Sequence, residues 1–217
     1  MLGPPGAGKG TQSERLAHER GIPKISTGDI LRVAVHDRTE IGERVKEVMD
    51  RGELVSDDLM VRIVRDRLEQ SDARKGFILD GFPRTVGQAI ALDAIMNGRR
   101  TPLIVVDIVV PQDELIRRLR SRLVCEACGF GAPPDHGERC GRCQGRLGQR
   151  SDDGEAIVVN RLKVYEQDTK PLLDYYKGRL TFRSIDGTLP ADHVARELST
   201  AVGDAIAAAR IAEGTAR

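Results

Sequence analysis

The stretch that decides the fold is GPPGAGKGT, residues 3–11. Its glycines allow a turn in which several backbone N–H groups face one anion, and the following helix adds its positive N-terminal end. Lys9 brings a full positive charge, as in loops that hold the β- and γ-phosphates of a nucleotide. The general phosphate-loop pattern has Ser or Thr directly after the lysine, whereas this chain has Gly10 followed by Thr11. The stretch therefore predicts a phosphate-binding loop.

Around this loop, short β-like runs alternate with helical stretches. The runs lie at residues 1–2, 22–25, 77–80, 103–110 and 180–186. The clearest of them are continuously apolar, as expected for strands that are buried on both faces of a parallel sheet. Strand–helix alternation over this length predicts an α/β fold with a doubly wound sheet.

Two segments interrupt this alternation. Residues 26–55 are mainly helical and polar, and residues 121–154 are rich in Gly, Cys, Arg and Asp without a helical period. Both are predicted to be insertions between core elements, and both are candidates for mobile lids. A helix over residues 155–176 is expected to kink or break at Pro171, which cannot donate a backbone hydrogen bond.

The composition narrows the function classes. Apolar residues make up 40% of the 217 residues and charged residues 31%, which indicates a globular protein rather than a disordered one. The net charge of +1, with three Tyr, four Phe and no Trp, argues against a nucleic-acid binder. No apolar run is long enough for a membrane helix and no signal peptide is visible, so we expect a cytoplasmic protein that binds neither nucleic acid nor membrane. We also expect a monomer.

All four cysteines belong to two Cys-x-x-Cys pairs, Cys125 with Cys128 and Cys140 with Cys143, separated by eleven residues. This spacing predicts a tetrahedral Zn²⁺ site of four thiolates, and four thiolates leave no open position for catalysis. In a cytoplasmic protein metal ligands are favoured over disulfides. A redox pair would need a strand–helix junction, which neither pair has. His136, between the pairs, is expected to be a solvated loop residue.

Further motifs accompany the phosphate loop. They are STGDILR at residues 26–32, DGFPRT at 80–85, RLRSR at 118–122, RSDD at 150–153, and Arg161. Together with the loop, they resemble the nucleoside monophosphate kinases and, within them, the long-lid, zinc-binding adenylate kinases. The resemblance extends from the phosphate loop over nearly the whole chain.

The resemblance implies a five-stranded, doubly wound parallel sheet with a helical AMP-binding insertion and a zinc-bearing lid. The implied division is a core of residues 1–25, 56–120 and 154–217, a monophosphate-binding segment at 26–55 and a lid at 121–153. The implied reaction is MgATP + AMP ⇌ 2 ADP, which serves adenine nucleotide homeostasis. Two alternatives remain open: a kinase for UMP, CMP or another monophosphate, and a catalytically inactive, zinc-stabilised nucleotide sensor.

The resemblance also implies roles for individual residues. Phosphoryl transfer depends on positioning and charge stabilisation, so the catalytic group is cationic: Lys9, Arg84, Arg122, Arg150 and Arg161. The implied ATP-binding residues are Gly6, Ala7, Gly8, Lys9, Gly10, Thr11, Arg118, Arg122, Gly131, Ala132 and Leu189. The implied AMP-binding residues are Thr27, Arg32, Glu53, Leu54, Val55, Gly81, Phe82, Pro83, Arg84, Gln88, Arg150 and Arg161.

Carboxylates and the base contacts complete this interpretation. Asp80 closes a strand beside the site and is expected to orient water around the Mg²⁺ that accompanies ATP. Asp152 and Asp153 are expected to tie the closed lid to the core through arginine pairs, or to form an acidic first turn of a helix. By resemblance, Thr27 and Gln88 go with adenine as the acceptor base.

The chain departs from the family pattern in two places. Family members normally carry further residues before the phosphate loop, where they form a central buried strand, so we expect either a start upstream or a strand too short to pair fully. The loop between the cysteine pairs is shorter than usual and lacks the apolar residues that cover ATP, which leaves Gly131 and Ala132 as the nearest matches.

Overall fold

The computed structural model describes most of the chain, in these ranges: 1–99, 101–132, 137–150 and 153–215. The expectations for His136 and Asp152 lie outside the described residues.

Helices make up most of the described structure. In chain order they are α1 (Lys9–Arg20), α2 (Thr27–His36), α3 (Glu40–Asp50), α4 (Asp57–Leu68), α5 (Val86–Asn97), α6 (Gln112–Arg120), α7 (Glu155–Val164), α8 (Pro171–Tyr176) and α9 (Ala191–Thr215). A short 3₁₀ turn covers Ser71–Lys75. The strands are β1 (Lys24–Ser26), β2 (Ile78–Asp80), β3 (Val105–Val109), β4 (Leu123–Cys125), β5 (Gly131–Ala132), β6 (Leu147–Gly148) and β7 (Phe182–Asp186).

The parallel strands form two pairs within the described residues. β1 pairs with β2, and β3 pairs with β7, both in parallel. Between the two pairs lies Leu2, whose N–H donates to Val106 O at 2.7 Å and whose carbonyl accepts from Ile108 N at 3.1 Å. On the other side the Met1 nitrogen donates to Leu79 O at 3.0 Å. Leu2 forms an isolated parallel bridge to Asp107, so this part of the predicted five-stranded sheet is a bridge rather than a strand.

Apolar side chains cover both faces of these strands. Val106 packs into a buried cluster with Leu16 of α1 and Leu198 of α9. The neighbouring Val105 points to the opposite face, where it packs in a cluster with Tyr176 of α8. Helices therefore lie on both faces of the strands, which is the mixed α/β layering that the continuous apolar runs predicted.

The two segments that interrupt the alternation fold differently. Residues 26–55 hold α2 and α3, and the Ser26 hydroxyl caps α2 by accepting the Asp29 N–H at 3.2 Å. Residues 121–153 hold instead a small antiparallel sheet in the order β5–β4–β6. The first segment is thus helical as predicted, and the short strands of the second were not foreseen.

The predicted helix over residues 155–176 breaks earlier than expected. α7 ends at Val164, a π-helical turn covers Tyr165–Thr169, and Pro171 begins α8. Proline at the first position of a helix is favourable, whereas its ring would clash with the carbonyl four residues earlier in a continuous helix. The preceding turn widens to avoid this clash, so the break falls before Pro171.

Candidate active site

The phosphate loop runs from the end of the Leu2 bridge into α1. Gly3 has φ of 129°, and a Cβ there would lie 2.7 Å from Ile108 O, so the backbone passes β3 too closely for any side chain. Gly8 has φ of 93° at the N-cap of α1. These two conformations favour glycine strongly. The loop therefore delivers the N-terminus of α1, with its unpaired N–H groups, to the carboxyl end of the strands.

Lys9 is the first residue of α1, and its side chain folds back across the loop. Its ammonium donates to Gly3 O at 2.7 Å and to Pro4 O at 2.8 Å. Burial lowers the pKa of Lys9 to about 8; the Asp80 carboxylate opposes this shift, and three arginines add to it: Arg84, Arg161 and Arg122. Several cations are thus close enough to repel one another, which makes the place attractive for a polyanion.

Gly10 explains the departure from the general phosphate-loop pattern. A Cβ at Gly10 would lie 3.3 Å from Asp80 Oδ2 and 3.8 Å from Lys24 Nζ. A serine or threonine side chain at this position would crowd the carboxylate at the end of β2. The glycine therefore lets α1 approach β2 closely, while Thr11 is exposed.

A buried carboxylate holds two of the predicted arginines. Asp153 Oδ2 accepts from Arg122 Nε at 2.7 Å, and Oδ1 accepts from Arg122 Nη2. Arg161 Nη1 donates to Oδ1 of the same carboxylate at 3.1 Å. The Asp153 side chain is completely buried, so this carboxylate is the counter-ion of both guanidinium groups.

A second carboxylate faces Arg32 and Arg150. Asp29, in the first turn of α2, accepts from Arg32 Nη2 at 2.5 Å, and Arg150 Nη2 lies 3.8 Å from the same oxygen. Burial tends to raise the pKa of Asp29, but the charge and hydrogen bond of Arg32 outweigh burial and leave this pKa below its usual value. Arg150, at the end of the lid segment, therefore reaches toward the helical segment.

A cleft opens between the helical segment at residues 26–55 and the core. Nine of the predicted AMP-binding residues line it: Thr27, Arg32, Glu53, Leu54, Val55, Gly81, Arg84, Gln88 and Arg161. Phe82 is buried in the core beneath the cleft, and the bond to Pro83 is cis. Glu53 is exposed and pairs with Arg51 at 3.0 Å.

Backbone geometry fixes two of the cleft residues. The Thr27 hydroxyl donates to Gly81 O at 2.9 Å, and Arg84 Nε donates to the same carbonyl at 2.9 Å. Gly81 has φ of 82°, and a Cβ there would lie 2.9 Å from Thr27 Oγ1. The Gly81 carbonyl, in the loop after β2, therefore fixes the positions of both the start of α2 and the Arg84 guanidinium.

Comparison with known proteins identifies the family. The family model described as adenylate kinase matches residues 1–181. The chain is 47% identical to the adenylate kinase of Archaeoglobus fulgidus over 204 residues, which cover 91% of this chain and 94% of that protein. It is 46% identical to the adenylate kinase of Methanosarcina barkeri, with the same coverage, and 47% identical to that of Methanocella arvoryzae, with 93% and 96% covered.

The chain belongs to the adenylate kinase family. The resemblance seen in the motifs is therefore confirmed, and with it the assignment to nucleotide-binding phosphotransferases. In the described part of the chain, no helix is long and apolar enough to cross a membrane.

The four cysteines of this adenylate kinase family member come together in the lid. Their sulfur atoms all lie within 4.8 Å of one another, with 3.4 Å between Cys125 and Cys143 and 3.8 Å between Cys128 and Cys140. A Zn–S distance of 2.3 Å in a tetrahedron gives sulfur–sulfur separations of about 3.8 Å. The donor set and its spacing therefore fit a Zn²⁺ ion.

The two cysteine pairs are built alike. The Cys125 carbonyl accepts from Gly129 N at 2.9 Å, and the Cys140 carbonyl accepts from Gln144 N at 2.9 Å. Gly129 and Gln144 both have positive φ, at 70° and 61°. Each pair is thus a tight turn that aims two sulfur atoms at one point, and the shortened loop between the pairs does not prevent the two turns from meeting.

The lid also touches the core beside the phosphate loop. Arg142, inside the second cysteine pair, donates to Glu14 Oε1 of α1 at 3.2 Å, and Lys24 Nζ lies 3.7 Å from Glu14 Oε2. The Arg142 and Glu14 side chains are 61% and 47% exposed, so this pair contributes at most about 1 kcal/mol to the lid position.

The remaining predicted ATP residues have local partners in the structure. Arg118 donates to Glu114 at 2.6 Å and to the Gly187 carbonyl at 2.9 Å, while Leu189 packs at the edge of the core. Hydrogen bonds from Arg117 and Arg118 lower the pKa of Glu114 to about 2.

The described backbone partners of Gly131 and Ala132 belong to the lid sheet. Gly131 pairs with Val124 and Ala132 with Leu123. The structure thus brings the predicted phosphate-binding cations and the cleft residues together. The residues predicted to contact the adenine of ATP contact their own neighbours instead.

Sequence reasoning missed two carboxylates of this site. Asp29 lies inside the STGDILR motif, but no role was predicted for it from the sequence. Its position three residues before Arg32 on a helix indicates an ion pair between the two side chains. Asp57, the first residue of α4, accepts hydrogen bonds from Thr85 and Gln88. No local sequence pattern links Asp57 to these partners.

Proposed function

We propose that this chain catalyses the reversible transfer of the γ-phosphoryl group of MgATP to AMP, which gives two ADP and balances the adenine nucleotides. The carrying observation is the convergence of Lys9, Arg84, Arg122 and Arg161 beside a cleft at the end of the parallel strands. Two polyanions repel each other, so a kinase for a nucleotide acceptor needs many cations in one place.

We propose that the donor phosphates lie on the phosphate loop. The backbone N–H groups of residues 6–11 would surround the β-phosphate, and Lys9 would turn from Gly3 O and Pro4 O toward the transferring group. Mg²⁺, bound with ATP, supplies charge neutralisation at the β- and γ-phosphates. The Asp80 carboxylate, held close to Lys9, would orient water of that ion.

The acceptor AMP is proposed to occupy the cleft lined by Thr27, Arg84 and Gln88. Arg32, Arg84 and Arg161 would hold its phosphate, with Arg150 reaching toward both substrates. Planar guanidinium groups bind phosphate oxygens in pairs, which fixes direction as well as distance. Thr27 and Gln88 would face the base, and the Glu53–Val55 backbone would contact the nucleoside.

The carboxylates Asp29 and Asp153 are proposed to keep the arginines oriented before the nucleotides bind. Each holds a pair of guanidinium groups that the reaction needs. An arginine whose position is fixed in advance loses less entropy when a phosphate arrives, and charge stabilisation by fixed groups needs no rearrangement during transfer.

Closure is proposed to involve both interrupting segments. Residues 26–55 and 121–153 would move against a core formed by residues 1–25, 56–120 and 154–217, because the helices of the first and the separate sheet of the second lie outside the parallel strands. Closure excludes water, which would otherwise accept the phosphoryl group. A structural Zn²⁺ on the four cysteines would keep the lid stiff, since this segment has only a small apolar cluster of its own.

Three further expectations stay predictions from the sequence. They are a monomeric state, a cytoplasmic location and a complete five-stranded sheet. The hydrogen bonds of Leu2 to β3 and of Met1 to β2 support the proposed order β1–β2–Leu2–β3–β7.

The reaction is tested by following ADP with the purified protein. We expect ADP only when ATP, Mg²⁺ and AMP are all present, with two ADP formed for each AMP consumed. The inactive-sensor alternative predicts nucleotide binding without ADP. ADP and free phosphate formed from ATP without any consumption of AMP would contradict the proposed reaction.

A further inference from the structure

We propose that Asp57 is a positioning residue that sets the base selectivity of the acceptor site, because it fixes the orientation of the Gln88 carboxamide. This inference rests on the proposed function, in which Gln88 faces the base of the monophosphate. It assigns a role to a residue outside the family motifs named above.

The contacts form a closed group at the start of α4 and α5. Asp57 Oδ1 accepts from Gln88 Nε2 at 2.8 Å, and Asp57 Oδ2 accepts from the Thr85 hydroxyl at 2.7 Å. On the other side of the carboxamide, Arg84 N donates to Gln88 Oε1 at 2.8 Å. Gln88 is only 2% exposed and lines the cleft.

These partners allow one orientation of the carboxamide. A backbone N–H can only donate, so the amide atom opposite Arg84 N must be the oxygen. A carboxylate can only accept, so the atom opposite Asp57 must be the nitrogen. A reversed Gln88 carboxamide would place two donors together on one side and two acceptors together on the other.

Thr85 holds Asp57 in place. Its hydroxyl oxygen accepts the Gln88 backbone N–H at 3.1 Å as the N-cap of α5. The hydroxyl proton is therefore directed to Asp57 Oδ2. Both oxygens of the Asp57 carboxylate are engaged, which prevents it from turning away from Gln88.

The fixed carboxamide retains one free donor and one free acceptor. Nε2 has a second N–H, and Oε1 has a second lone pair. Adenine presents the matching edge, because its N1 accepts and its 6-amino group donates. Hypoxanthine presents the opposite edge, since its N1 carries a proton and its 6-oxygen accepts.

A comparison of kcat/KM for AMP and for IMP therefore tests the orientation of the Gln88 carboxamide. With the carboxamide fixed, IMP would face donor against donor and acceptor against acceptor. A site that leaves buried polar groups unpaired discriminates strongly, so we expect kcat/KM for AMP to exceed that for IMP by at least ~10²-fold in the unmodified protein.

The test compares Asp57→Asn with Asp58→Asn, its exposed neighbour in the same helical turn. Both changes remove one negative charge from the N-terminus of α4, but only the first replaces the carboxylate beside Gln88 Nε2 by an amide, which can face either atom of the Gln88 carboxamide. In that variant the contact with Arg84 N alone selects the orientation. We expect Asp57→Asn to lower the AMP/IMP ratio of kcat/KM at least ~10-fold, since a hydrogen bond to a charged group is lost. Asp58→Asn should leave the ratio within about twofold of the unmodified protein.

The ratio is measured on one sample, so a partly unfolded variant does not alter it. A merely structural role for Asp57 predicts equal losses for AMP and IMP, and an unchanged ratio in Asp57→Asn would overturn the inference. In a Gln88→Ala background, Asp57→Asn should cause no further change in the ratio, and a full further change would also overturn it. Failure of the proposed function shows itself separately, as absence of AMP-dependent ADP formation in the unmodified protein.

Discussion

Arg122 and Asp153 form a two-point ion pair whose carboxylate is completely buried, and Arg161 donates to the same carboxylate at 3.1 Å. A buried charge without a partner is costly, so the three groups depend on one another. Arg122 begins the lid and Arg161 lies on α7, which means that one carboxylate sets the position of cations from two elements.

Asp153→Asn tests this dependence. The change removes the buried negative charge to which both guanidinium groups donate, and we expect the free energy of unfolding to fall by about 3–5 kcal/mol. Turnover should fall at least ~10-fold, because the arginines lose their fixed direction. Thermal melting and steady-state kinetics measure both effects, with the exposed Asp66→Asn as control. A variant that melts and turns over like the control would contradict this role.

Lys9→Met tests the phosphate-loop assignment. A fixed charge on the transferring group is worth several kcal/mol, so turnover should fall at least ~10²-fold. The overall fold should be retained, although the hydrogen bonds from the ammonium to Gly3 O and Pro4 O are lost. The exposed Lys177→Met serves as control for the loss of one positive charge. Near-normal turnover in purified Lys9→Met would show that the loop does not hold the donor phosphates.

The lowered pKa of Lys9 predicts proton uptake on ATP binding. With a pKa of about 8, this amine is protonated below pH 8 and increasingly neutral above it when no nucleotide is bound. The triphosphate favours the charged form, so ATP affinity should fall as the pH rises through 8, and binding at pH 8 should take up about half a proton. Calorimetry in buffers of different ionisation enthalpy measures this uptake.

The same experiment on Lys9→Met provides the control. Proton uptake at pH 8 should disappear in that variant, and its ATP affinity should no longer decrease as the pH rises above 8. Equal uptake in both proteins would assign the proton to another group.

The cysteine cluster predicts one Zn²⁺ per chain with a structural role. The double variant Cys140→Ser with Cys143→Ser should lose the metal and melt at a clearly lower temperature, because the lid has little apolar core. Activity at low temperature should persist at a reduced level, since no phosphate-binding group is a cysteine. KM for ATP should rise more than KM for AMP, because Arg122 lies three residues before Cys125.

Two results would contradict this account of the lid. The first is protein that, when purified without chelator, contains no zinc and has four freely titrating thiols, which would show that the four cysteines do not bind the metal. Complete loss of activity in a folded, zinc-free variant would instead give the metal a catalytic part.

Local sequence patterns predicted the glycine-rich loop and the clustering of the four cysteines. The phosphate loop is contiguous, and its glycines have conformations that the sequence alone implies. The cysteine pairs are equally local, and the structure brings all four sulfur atoms together. Such features depend on neighbours in the chain, so they need no knowledge of tertiary packing.

Long-range contacts could not be predicted in the same way. Asp57 meets Thr85 and Gln88 across 28 and 31 residues, and neither partner leaves a mark near Asp57 in the sequence. The helix break before Pro171 was foreseen, but its place at Tyr165–Thr169 depends on how the preceding turn relieves the proline clash.

The central claim is phosphoryl transfer from ATP to AMP, and one measurement tests it most directly. The measurement is kcat/KM with ATP as donor and AMP, CMP, UMP or GMP as acceptor, followed through ADP formation. We expect AMP to be the best acceptor by at least ~10²-fold, because the hydrogen-bonding groups of the cleft match one base. A higher kcat/KM for CMP or UMP, or no transfer to any of the four, would contradict the account.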